Sequence, residues 1–130
     1  MIEDTSFIID LLRGKPAAVD YLTVLEKSTR PEKLSAVTVL ELYEAVPQVA
    51  VPEERHQRIL DVLDTRQVVP ADETVMRKAG KISGELLARG EEIDREDCII
   101  AATALLSDEP VVTRNVEHFS RIDGLDVETY

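Results

Sequence analysis

Short apolar runs alternate along this chain with longer stretches of helical periodicity, and that alternation restricts the fold more than any other feature. Met1–Glu3, Leu34–Val37, Gln67–Val69, Pro110–Thr113 and Leu125–Val127 read as strands. Phe7, Ile8, Leu11 and Leu12 form an apolar stripe on a helix over Thr5–Arg13, which Gly14-Lys15-Pro16 stops before a second helix over Ala17–Leu25. Pro52-Glu53-Glu54 opens a helix to about Asp64. Pro70-Ala71-Asp72 leads into a long one reaching about Arg89, where Gly90 breaks the pattern. Asp94 suits the cap of a further helix through Ile99–Leu106, and Glu117–Phe119 adds one turn. Strands alternating with helices build a parallel sheet covered on both faces. The expected fold is therefore a three-layer α/β/α domain around a parallel sheet of about five strands, with Leu125–Val127 at an edge. At 130 residues, one domain spanning 1–130 is expected.

In such sheets a ligand site lies beyond the carboxyl ends of the strands. Asp4 and Asn115 follow strands directly, while Glu41 and Asp97 fall in the opening turns of helices that begin at the same edge. Separated carboxylates on an apolar framework suit Mg2+ or Mn2+, which prefer oxygen ligands and share them with water and phosphate. Metal-assisted phosphodiester hydrolysis is the leading expectation. Each acid has a plainer explanation beside it. Asp4 suits a helix cap. Thr38 with Glu41 three residues on matches a capping box. Asp97 has the strongest local case, because the turns that follow it are nearly all apolar or small, and a carboxylate beside a buried helix is costly unless paired or bound to metal. Asp94, beyond its capping role, is a candidate outer ligand through water. Glu44 is a weaker candidate and Glu96 is expected to be solvated. Thr5 and Ser6 are placed to orient Asp4 or touch phosphate, with Thr113, Arg114 and Arg13 as further candidates for substrate contact. His56 is expected on the surface, and His118 near Asn115 is a weaker candidate for substrate contact.

Composition narrows the alternatives. The lone Cys98 excludes an internal disulfide framework and a multi-cysteine zinc site, and its apolar neighbours predict burial. There is no phosphate-cradling Gly-rich loop and no Gly-x-Ser-x-Gly elbow, which argues against P-loop and serine-hydrolase chemistry. No run has the length of a membrane span and no basic leader precedes an apolar segment, so a cytoplasmic protein is expected. The formal charge of −11 argues against nucleic-acid binding unless divalent ions reverse the local charge or salt screens the rest. With the acids spread along the chain, that charge fits the solvated acidic surface of a halophile.

Four pieces in order resemble the PIN-domain proteins, specifically the small VapC-type toxin ribonucleases. They are Asp4-Thr5-Ser6 with Asp10-Leu-Leu-Arg-Gly14, Thr38-Val-Leu-Glu-Leu42, Asp97 before Ile99-Ile-Ala-Ala-Thr-Ala104, and Val112-Thr-Arg-Asn-Val-Glu-His-Phe119 before Gly124-Leu125. The resemblance implies RNA cleavage with one or two Mg2+ or Mn2+ ions, and 5′-phosphate and 3′-hydroxyl products. Asp4, Glu41 and Asp97 match the family's three best-defined acids, and Asn115 falls at its fourth position. A homodimer and a small antitoxin partner are also implied. Glu3 departs from the pattern, standing where the first strand usually has an apolar residue. Two other readings stay open: a catalytically silent interaction protein whose acids cap helices, and a DNA-directed metal nuclease, for which 130 residues leave little room.

Overall fold

The computed structural model describes residues 1–45 and 52–130. Five strands, β1 (Ile2–Glu3), β2 (Lys33–Ser35), β3 (Gln67–Val69), β4 (Val111–Val112) and β5 (Val127–Glu128), pair in parallel in the order β3-β2-β1-β4-β5. The helices are α1 (Thr5–Leu12), α2 (Pro16–Glu26), α3 (Ala36–Ala45), α4 (Pro52–Asp64), α5 (Glu73–Ala88), α6 (Arg95–Ser107) and α7 (Val116–Phe119). No described helix is long and apolar enough to cross a membrane.

The three layers follow from side-chain alternation on very short strands. Ile2 and Val111 point into a core with Val75, Ala79, Ile82 and Leu86 of α5 and Ile100, Ala101 and Ala104 of α6. Their neighbours Met1 and Val112 point the other way, onto Phe7 and Ile8 of α1, Leu42 of α3 and Ile59 of α4. Both faces are thus covered, as a parallel sheet requires. The central strand nevertheless carries Glu3, wholly buried, whose carboxylate accepts hydrogen bonds from Arg66 Nε and Nη2. Arg66, itself 7% exposed, also reaches Glu32 at 3.3 Å. Burial pushes the Glu3 carboxyl up to about 7, against the lowering effect of Arg66.

Two local expectations are corrected. Thr38 does not cap α3. The helix starts two residues earlier, Ser35 Oγ accepts from Val37 N at 3.3 Å, and Thr38 is buried within the helix, so Glu41 is not part of a capping box. The last strand starts two residues later than expected, at Val127, and ends at Glu128. Gly124 turns the chain at φ +78°, Leu125 packs against the α5–α6 core, and Val127 pairs with Val111.

Candidate active site

Chain order reverses direction across the sheet between β1 and β4, and the crevice beyond their carboxyl ends is where an open α/β sheet binds ligands. Asp4 leaves β1 there, its N–H donating to Val112 O at 2.8 Å. It occupies the cap position of α1, yet its side chain makes no capping hydrogen bond. Instead Oδ2 accepts from Ser6 Oγ and Thr113 Oγ1, both at 2.7 Å, and Asp4 is only 2% exposed. Two hydroxyls from opposite ends of the chain thus orient a buried carboxylate.

Glu41 projects from α3 toward α1, where Thr5 Oγ1 lies 2.8 Å from Glu41 Oε1 and 3.0 Å from Thr38 Oγ1. The single Thr5 proton serves one of them at a time. Burial raises the Glu41 carboxyl above its usual range; Thr5 opposes this, and the charges of Asp4, Glu96 and Glu44 add to it. Asp97 lies in the first turn of α6. Burial, then the charges of Asp4, Glu41, Asp94 and Glu96, push its carboxyl up to about 7. His118 Nδ1 stands 3.8 Å from Asp97 Oδ2, beyond hydrogen-bond distance.

The structure therefore brings Asp4, Glu41 and Asp97 into one field of mutual repulsion, with Glu96 and Asp94 at its margin. Glu96, expected to be solvated, is half-buried, and its charge adds to the upward push on both Asp97 and Glu41. Asp94 stands at the cap position of α6 but makes no capping hydrogen bond. Asn115 reaches this edge through its backbone, N–H to Thr113 Oγ1 at 2.9 Å; among the described residues nothing ties its amide to the acids. Arg114 contributes its N–H to Ser6 Oγ at 3.3 Å and its guanidinium to Asp10 Oδ1 at 2.6 Å. Arg13 is an exposed helix end with no described side-chain contact to the cluster. His56 is exposed and Cys98 buried.

The donor set fits a hard divalent cation: all oxygen, carboxylate-rich, and destabilised by its own charge. Among the described residues, however, no three His, Cys, Asp or Glu side chains are gathered closely enough to hold an ion in their present rotamers. The acids face one region without closing on it. Arg114, Lys15 and Tyr130 converge on Asp10, a group whose one signal in the sequence is a charged residue at position 10 inside α1.

The PIN domain family model matches residues 1–125. The chain is 30% identical over 125 residues to Ribonuclease VapC10 of Mycobacterium tuberculosis, covering 96% of this chain and 90% of that one. The structure of DNA-bound VapBC from Salmonella typhimurium superposes with a TM-score of 0.86 at 26% identity, covering 98% of this chain and 96% of that one. A toxin–antitoxin complex from Klebsiella pneumoniae gives 0.75 at 26% identity, over 98% and 95%.

Proposed function

Because this chain belongs to the PIN-domain family, among the VapC-type ribonucleases, we propose that it is a divalent-metal-dependent endoribonuclease and the toxin of a toxin–antitoxin pair. The observation that carries the reading is the buried Asp4 carboxylate beyond the end of β1, held on one oxygen by Ser6 and Thr113 and surrounded by the charges of Glu41 and Asp97. A cluster that destabilises its own charge is an arrangement expected of a cation site. Asp4, Glu41 and Asp97 are the residues to hold Mg2+ or Mn2+, with Asp94 through water and Asn115 as a neutral oxygen donor. A cation bound there supplies Lewis-acid stabilisation of phosphoryl charge and acidifies the attacking water.

The chain's own residues do the rest. Ser6 and Thr113 hold Asp4 by one oxygen, so its orientation is fixed before substrate arrives. Thr5 does the same for Glu41. Arg114, bound to Asp10, is positioned to receive the RNA backbone through charge-assisted hydrogen bonds. In-line attack by water on phosphorus breaks the bond to the 3′ oxygen and leaves 5′-phosphate and 3′-hydroxyl ends. A second copy of the chain belongs to the same proposal, as does a small antitoxin, the latter supported by a similar structure solved as a toxin–antitoxin complex.

The test is cleavage of a structured RNA panel at high salt with Mn2+, Mg2+ or EDTA, beside Asp4→Asn and Asp97→Asn, with circular dichroism to monitor the fold. Metal-dependent cutting lost in both folded variants is expected, together with weaker Mn2+ binding by calorimetry. Full activity in both variants would sink the site assignment.

A further inference from the structure

On this acidic chain, one buried carboxylate beside the acid cluster is shared by two half-exposed cations. Arg114 donates to Asp10 Oδ1 at 2.6 Å, and Lys15 Nζ stands 3.2 Å from the same oxygen. The Tyr130 hydroxyl donates to Asp10 Oδ2 at 2.7 Å, and its ring packs against Phe7 at 4.9 Å. Asp10 is only 2% exposed, whereas the side chains of Arg114 and Lys15 are 45% and 50% exposed. Burial opposes the charge on Asp10, but the bonds from Tyr130 and Lys15 and the charge of Arg114 outweigh it, holding the carboxyl below its usual range. A fixed, ionised, buried carboxylate therefore supports two cations at the surface.

Other described ion pairs are balanced or covered. Arg66 meets both Glu3 and Glu32, and Arg30, Arg77, Arg89 and Arg121 each meet at least one acid of their own. Glu109 is also shared by two cations, but one is the buried Met1 ammonium and Lys33 is only 22% exposed. The Asp10 group is linked to the cluster by a short path: Arg114 N–H to Ser6 Oγ, and Ser6 Oγ to Asp4 Oδ2. Arg114 has guanidinium N–H groups beyond the one given to Asp10, and a phosphate accepts such donors well.

We propose that Arg114 and Lys15 form a second phosphate subsite, which takes an RNA phosphodiester neighbouring the one that is cut, and that Asp10 is its positioning residue. This rests on the ribonuclease reading above. The experiment measures the affinity of a single-stranded oligoribonucleotide against salt, in magnesium, in a cleavage-inactive Asp97→Asn background. Each lost phosphate contact lowers the slope of log affinity against log salt by about 0.7. Lys15→Ala and Arg114→Ala should each do so, whereas Arg77→Ala on exposed α5 should leave the slope unchanged. In the active protein, Asp10→Asn should raise KM several-fold with little change in kcat. Because Lys15 and Arg114 are exposed, their variants keep the test valid even if Asp10→Asn fails to fold. RNA bound with unaltered slopes in both cation variants overturns the subsite alone. No RNA bound by the background protein and none cut by the wild type overturns the ribonuclease reading with it.

Discussion

Replacing Arg66 with Met should expose the cost of the charge buried under the sheet. Glu3 is fully buried on the central strand, and Arg66 is its cationic partner. Burial moves the Glu3 carboxyl from 4.5 to about 7, a difference worth about 3 kcal/mol between its two protonation states. The folded protein therefore holds a proton on Glu3 between about pH 4.5 and 7 that the unfolded chain has released, so this group's contribution to stability falls as pH rises through that window and is flat above it. At pH 8 Glu3 is mostly ionised beside Arg66, and Arg66→Met leaves the carboxyl either charged without a partner or forced to take up a proton, at a loss of roughly 3–5 kcal/mol. At pH 5 Glu3 carries its proton, and the same substitution should cost only about 1 kcal/mol for the lost hydrogen bonding. The double variant Glu3→Leu/Arg66→Met removes both charges from an apolar layer and should come within about 1 kcal/mol of wild type at pH 8. Urea unfolding at pH 5 and pH 8, at one ionic strength, measures all three proteins. An equal loss for Arg66→Met at both pH values, or a double variant as unstable as the single one, would refute the reasoning.

Further outcomes follow from other contacts. Ser6→Ala or Thr113→Val removes one of the two hydroxyls on Asp4 Oδ2, and Mn2+ affinity or cleavage should drop about 10–100-fold with the fold intact; unchanged titration and cleavage would deny them an orienting role. Asp72 Oδ1 accepts from Val75 N at the start of α5, so Asp72→Ala should cost about 1 kcal/mol, read by thermal melting as a drop of a few degrees. A melting curve unshifted by that change would show the cap to be dispensable.

The sheet and most helices were legible in the sequence because their signals are local. The stripe of Phe7, Ile8, Leu11 and Leu12, the Pro at the head of α2 and the break at Gly90 each act within a few residues. What the sequence hid was long-range partnership. Thr38 looked like a cap because it precedes Glu41 by three, but the structure turns it inward against Thr5, and Ser35 takes the capping position. Glu3 looked like a flaw in β1 until Arg66, 63 residues away, supplied its counter-charge. Asp10 begins the stretch Asp10-Leu-Leu-Arg-Gly14, yet its partners are Arg114 and Tyr130, 104 and 120 residues on. The acids themselves were found through their places at element ends. Their mutual repulsion, including that of Glu96, is a matter of three-dimensional distance that no spacing rule reports.

The separation between Asp4 and Thr113, 109 residues, also has a bearing on synthesis. The third residue of the chain cannot pair in β4's register until Val112 exists, and Asp4 cannot receive its second hydroxyl until Thr113 has left the ribosome. Every partial chain that ends before that point has at most Ser6 to hold the first acid. Contacts so distant in sequence also form slowly. A protein proposed to cut RNA thus completes the hydroxyl pair around Asp4 only after β4 has been made.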